Sequence, residues 1–327
     1  MIVNYPGMEQ YWTTTTKLVP SSTLEIQLVT SMHQTINSSS TGKGPTLLFA
    51  HGLGSCKEMW FPILIRMAKL GFRGTCITYD IRNHGESATV NAPTMKRLKN
   101  QFRCSENTAD IRAIIRGWNL WEPLIGVGHS IGGCSILMAE VEQPYTFKAI
   151  VGVEIVSWCE SVAHMNSSDL RNILIRKTDN KRGREEARAF MRKSPHYALW
   201  EPEALDTFLQ YGVQNARDGK GIELKCSPST EGDGFRGDDI TIELGESLHR
   251  IRIPVLYICS PKSPMIPKHM VEENVRRTKG SQCLFIPAST HSLIYEHLDI
   301  TTREIMRITR LHHTEAGDEG AFVQAKL

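Results

Sequence analysis

The chain has 327 residues, enough to bury a large core in one α/β domain or in a domain carrying an insertion. With 40% hydrophobic and 22% charged residues and a formal net charge of +3, it lacks the basicity of a nucleic-acid binder. No run approaches the ~18 uninterrupted apolar residues of a membrane span, and the start, MIVNYPGMEQ, has neither the basic nor the apolar region of a signal peptide.

In chain order, Leu24–Val29 reads as a short strand, followed by the Ser/Thr/Gly-rich turn Asn37–Gly44. Thr46–Ala50 is an apolar strand ending at His51-Gly52-Leu53-Gly54. Met59–Leu70 has helical spacing and stops at Gly71-Phe72. Arg73–Tyr79 is a further strand, leading into Asp80-Ile81-Arg82-Asn83-His84-Gly85-Glu86-Ser87. Glu106–Trp118 is an amphipathic helix, Pro123–Val127 a strand, Ile131–Val141 a helix and Phe147–Val156 a strand. Such alternation predicts a mainly parallel sheet covered on both faces. From Trp158 to Leu248 the alternation breaks down into polar, partly helical sequence with turns such as Gly232-Asp233-Gly234. Strands resume at Ile253–Cys259 and Cys283–Ile286, and Ser292–Arg310 reads as a final helix. The expected organisation is a core over 1–157 and 249–311, a helical lid over 158–248 and a tail over 312–327.

Gly128-His129-Ser130-Ile131-Gly132 lies between a predicted strand and a predicted helix. That context places the Ser130 hydroxyl at the apex of a sharp bend, with glycines removing side chains that would clash with strand and helix. The amide of Ile131, at a helix N-terminus, points toward a developing oxyanion. The same stretch, Gly126-Val127-Gly128-His129-Ser130-Ile131-Gly132, also fits a loosened dinucleotide fingerprint with Glu154 as its acid. That reading leaves the blocks around His51 and His291 unexplained, and at least two strand–helix units precede the turn.

Together these segments resemble the α/β-hydrolase fold over roughly 45–157 and 250–311, in particular fungal peroxisomal serine hydrolases of the acyl-CoA hydrolase and toxin-biosynthesis type. His51-Gly52-Leu53-Gly54 resembles the family's oxyanion loop, and Asp80-x-Arg82-x-His84-Gly85-x-Ser87 its turn after the fourth strand, with Asn83 where glycine is usual. Gly128–Gly133 resembles the nucleophile elbow, and His291 falls where the family places its base. The resemblance implies Ser130 as nucleophile, His291 as general base and the amides of Leu53 and Ile131 as the oxyanion hole. His51, His84 and His129 are expected to hydrogen-bond locally.

One departure stands out. The family's usual acid follows the strand corresponding to Ile253–Cys259, and Ser260–Pro267 holds no carboxylate; Ser263 falls near that position. Glu154 is the expected substitute. Some members of the fold, haloalkane dehalogenases and certain fungal peroxisomal acyl-CoA hydrolases among them, take their acid from this strand end. A charge inside Ile150-Val151-Gly152-Val153-Glu154-Ile155-Val156 is also costly unless paired. Glu296 and Asp299 are the rival acids. Because Ser130 stands where epoxide hydrolases and haloalkane dehalogenases use aspartate, the expected chemistry is ester or thioester hydrolysis, with acyl transfer, carbon–carbon hydrolysis or a non-catalytic ligand receptor as alternatives.

The segment Arg171–Lys193 is rich in basic residues, Arg182 and Arg184 among them, which read either as a solvated lid face or as a dock for the phosphates of coenzyme A. Trp158, Met165 and Trp200 are candidates for an apolar pocket or for lid packing. Eight cysteines without a C-x-x-C pair suggest buried thiols of a reducing compartment, and neither a metal nor a cofactor is expected. Ala325-Lys326-Leu327 resembles the S-K-L type address read by the peroxisomal import receptor, predicting the peroxisomal matrix, where acyl-CoA esters are available as substrates.

Overall fold

The computed structural model describes residues 5–23, 25–36, 44–97, 103–120, 124–157, 183–215, 222–226, 240–263 and 265–312. Two antiparallel strands open it, β1 (Trp12–Pro20) and β2 (Gln27–Thr35). β1 escapes prediction because its WTTTTKLVP sequence has one apolar end and an exposed middle; pairing with β2 defines it. β3 (Thr46–Ala50) is followed by a 3-10 turn (Lys57–Trp60) and helix α1 (Phe61–Lys69), started by Pro62 and ended before Gly71 at φ +86°. Next come β4 (Thr75–Tyr79), α2 (Gly85–Arg97), α3 (Cys104–Gly117), β5 (Leu124–His129), α4 (Ile131–Glu142) and β6 (Ala149–Val153).

Within 158–248 the described elements are α5 (Arg184–Lys193), α6 (Pro202–Thr207), a π-turn (Phe208–Gly212), the antiparallel pair β7 (Val213–Asn215) and β8 (Ile222–Leu224), and α7 (Ile240–Ser247). The chain then re-enters the main sheet as β9 (Val255–Cys259), α8 (Lys268–Arg277) and β10 (Gln282–Phe285), and ends in α9 (Leu293–Glu296) and α10 (Leu298–His312). The expected single helix Ser292–Arg310 is thus two. Its break at His297 has a cause: the Glu201 carboxylate accepts from the Leu298 amide at 2.7 Å, capping the second helix from outside.

The sheet order is β1-β2-β4-β3-β5-β6-β9-β10, antiparallel at β1–β2 and β2–β4 and parallel from β4 to β10. Alternation sends Leu47 and Phe49 into one hydrophobic cluster with α1 and α10, and Leu48 and Ala50 into the other with α3 and α4. Trp200, Phe208 and Leu209 of the inserted stretch join the first cluster. Arg66 on α1 fastens that stretch to the core, donating to Glu203 at 2.6 Å and to Asp299 on α10 at 2.7 Å. The parallel strands all end on one edge, where β3, β4, β5, β6 and β9 deliver His51, Asp80, Ser130, Glu154 and Ser260. Among the described residues no helix is long and apolar enough to cross a membrane.

Candidate active site

Strand β5 passes directly into α4 through one residue, Ser130, held at φ 54°, ψ −124°. Such a backbone costs on the order of 1–3 kcal/mol for a non-glycine residue and persists only where its surroundings enforce it. Here Ser130 N–H donates to Val153 O at 3.0 Å and Cys134 N–H to Ser130 O at 3.1 Å. The flanking glycines are steric necessities. A Cβ on Gly128 would lie 2.4 Å from Gly133 Cα, and one on Gly132 would lie 2.4 Å from Ala50 O.

Three side chains named from the sequence converge at this bend. Ser130 Oγ lies 2.9 Å from His291 Nε2, and His291 Nδ1 lies 3.1 Å from Glu154 Oε2. His291 comes from the loop after β10, whereas Glu154 is the first residue after β6, in the left-handed region at φ 51°. The strand therefore ends one residue before Glu154, and that turn directs its carboxylate into the interior, where it is 0% exposed. Its second oxygen, Oε1, accepts from the Ser260 amide at 2.5 Å. Both carboxylate oxygens are thus engaged, which meets the requirement for burying the group. The rival acids lie elsewhere: Glu296 Oε2 accepts from the Thr290 amide at 2.8 Å, and Asp299 pairs with Arg66.

Ile131 contributes the first amide of α4, one of those a helix cannot satisfy internally. On the facing turn the Gly54 amide donates to His84 Nε2 at 3.0 Å and the Ser55 amide to Gly52 O at 3.3 Å, with half-buried Leu53 between Gly52 and Gly54. The neighbouring histidines do hydrogen-bond locally. His51 Nδ1–H donates to Gly52 O at 2.8 Å while its Nε2 accepts from the Ile81 amide at 3.1 Å. His84 Nδ1 lies 2.6 Å from Asn83 Oδ1, so the unusual asparagine takes part in the turn. Burial pushes the imidazolium of both His51 and His84 below its usual range.

Lys57 escaped the sequence reading. It is 2% exposed, its Nζ donates to Glu58 at 2.6 Å, Asp80 at 3.1 Å and Glu86 at 2.6 Å, and its own amide donates to Asp80 Oδ1 at 2.8 Å. Burial opposes the charge, but the three carboxylates hold this ammonium well above its usual range. The turn after β3 is thereby locked to the turn after β4. Glu58, Asp80 and Glu86 cluster closely enough to attract a cation, and the Lys57 ammonium already lies among them. A lysine–glutamate pair between Cys56 and the apolar run Met59–Ile65 was the available signal.

Arg184 donates to Leu209 O at 3.0 Å and Arg192 to Trp200 O at 2.9 Å, contacts internal to the inserted stretch, while Arg188 pairs with Asp206. Trp200 packs on Tyr295 with ring centroids 4.4 Å apart. Trp158, Met165, Arg182 and the tripeptide Ala325-Lys326-Leu327 lie outside the described residues. Of the described cysteines six are buried and Cys283 is half-buried; Cys159 lies outside the described residues.

A family model for the α/β hydrolase fold matches residues 45–298, and the chain belongs to that family. It is 27% identical over 129 residues to a 2-(acetamidomethylene)succinate hydrolase of Mesorhizobium japonicum, covering 39% of this chain and 42% of that one. It is 25% identical over 107 residues to the abhydrolase domain-containing protein ACTT2 of Alternaria alternata, covering 33% and 39%. The chain thus spans about two fifths of the length of these curated relatives. Among solved structures, the peroxisomal α/β-hydrolase Lpx1 of Saccharomyces cerevisiae superposes with a TM-score of 0.76 at 18% identity, covering 97% of this chain and 94% of that one.

Proposed function

We propose that this chain is a serine hydrolase that cleaves an ester or thioester through an acyl-enzyme at Ser130. The hydrogen-bonded run Ser130–His291–Glu154 carries this reading. Ser130 Oγ attacks the carbonyl carbon as its proton passes to His291 Nε2. Glu154, accepting from His291 Nδ1–H, selects the tautomer whose Nε2 is free to take that proton, and it stabilises the imidazolium that forms. The amides of Leu53 and Ile131 hold the oxyanion, each such donor being worth about 10²–10³ in turnover. Collapse of the tetrahedral intermediate expels the alcohol or thiol, which receives the proton from His291. Water then repeats the sequence on the acyl-enzyme and releases the acid.

For the substrate we favour an acyl-CoA or related acyl ester of fungal lipid or secondary metabolism, acted on in the peroxisomal matrix. Support comes from the basic stretch around Arg182 and Arg184 and from the likeness to a fungal abhydrolase and to the fold of a yeast peroxisomal hydrolase. Acyl transfer on the same three residues is the second reading, since the acyl-enzyme accepts any nucleophile that reaches it. The test compares p-nitrophenyl esters with acyl-CoA thioesters on the wild type and Ser130→Ala. Wild type is expected to hydrolyse thioesters and to be labelled by a fluorophosphonate, and Ser130→Ala to do neither. Strong simple-ester cleavage with negligible thioester cleavage would overturn the coenzyme A assignment.

A further inference from the structure

His129, the residue before the nucleophile, reaches both the loop that carries His291 and the turn at Gly52. Its backbone is the last rung of β5, paired with Val153 of β6, so its ring is carried by the sheet. Its Nε2 lies 3.0 Å from the backbone carbonyl of His291. A carbonyl only accepts, so Nε2 bears the proton. Nδ1 is then bare, and it is buried without a hydrogen-bond partner among the described residues. It faces Gly52 of the oxyanion-side turn, where an added Cβ would lie 2.8 Å away. Tyr295 and the same ring pack in a T-shaped arrangement with centroids 5.5 Å apart, and the Tyr295 hydroxyl lies 2.8 Å from Ser55 Oγ, closing a circuit from base loop to oxyanion-side turn.

His291, by contrast, sits in a loop six residues beyond β10. Its position depends on ties from elsewhere, and the His129 bond is made to its own carbonyl. We propose that His129 is a positioning residue: its Nε2–H holds the His291 backbone so that the imidazole spans Ser130 and Glu154, while its ring fixes the distance to the Gly52 turn. Burial and the nearby His291 push the His129 imidazolium down to about 3, so the ring remains neutral. It therefore adds no like charge beside a base that must become positive during the reaction.

This role rests on the serine-hydrolase reading, and the experiment separates the two. His129→Phe keeps a ring without the donor, His129→Met keeps length without the donor, and His129→Gln restores an N–H donor on a side chain the length of methionine. Steady-state kinetics on a p-nitrophenyl ester and fluorophosphonate labelling rates are measured for all three, with thermal unfolding as a check on folding. Loss of the donor is expected to lower kcat about 10- to 100-fold with KM little changed, and Gln is expected to recover most of that loss. If the Phe variant does not fold, the Met and Gln pair decides. Met equal to Gln, or Phe as active as the wild type, would overturn the positioning role while leaving Ser130 as nucleophile. A wild type whose Ser130 is not labelled would overturn the reading beneath it.

Discussion

Neighbouring strands β6 and β9 run parallel in register, Val153 beside Ile258, yet their ends serve opposite purposes. At the end of β6 the chain enters a left-handed turn and places Glu154 against His291. At the end of β9 there is no carboxylate, but Ser260 donates its amide to Glu154 and its hydroxyl to Ser289 O at 2.6 Å, two residues before His291. On the serine-hydrolase reading, one end supplies the acid and the other holds acid and base loop together. An acid can therefore change strands without changing the site, because the parallel edge brings both strand ends to one imidazole. Ser263, near the family's usual acid position, is buried with its hydroxyl unpartnered among the described residues.

The contrast breaks most sharply at Glu154. Glu154→Gln keeps an acceptor for Ser260 but turns an amide toward His291 Nδ1, favouring the wrong tautomer; kcat is expected to fall about 10³–10⁴-fold with little change in thermal unfolding. Retained turnover would return the search for the acid to Glu296 and Asp299. Acid titration tests the buried histidines as a group, three of them on this edge and His33 within β2, beside Cys76 of β4. His33 and His129, held at about 3, and His51 and His84, also lowered, stay neutral when folded, whereas their unfolded forms protonate near 6.5. The unfolded state therefore binds more protons below that pH. Stability is full above about 6.5 and declines as pH falls toward the folded values, by about 1.5 kcal/mol between pH 6.5 and 5 for a histidine held near 3. Denaturant unfolding midpoints across that range check the slope, and a flat profile would contradict neutral burial.

Smaller effects sharpen the division of labour. Ser260→Ala leaves the backbone hydrogen bond to Glu154 intact and removes the tie to Ser289 together with the acceptor of the Lys262 amide; a loss of about 1–2 kcal/mol in unfolding free energy and a several-fold fall in kcat are expected. A loss as large as that of Glu154→Gln would make the β9 hydroxyl more than a brace. Asp299→Asn alters a side chain 69% exposed in its pair with Arg66. It is expected to move stability by no more than about 0.5 kcal/mol and to leave turnover alone, measured by the same two assays.

Much of this was legible in the chain. The glycines around Ser130 announce a bend because only they tolerate backbone at 2.4 Å, and Glu154 betrays itself as a charge within an apolar run of sequence. Strand β1 was not legible, since its exposed threonines take their order from β2. Nor was the break at His297, imposed by Glu201 from nearly a hundred residues away. Local sequence determined strands β2 to β6, β9 and β10, the strained elbow and the residue types able to do acyl chemistry, because these follow from periodicity, turn sterics and side-chain reactivity. Tertiary structure alone decided which histidine meets Ser130, which carboxylate meets that histidine and which neighbours hold them there. Those pairings join groups 106 to 161 residues apart, and only the closed sheet edge brings them within hydrogen-bonding distance.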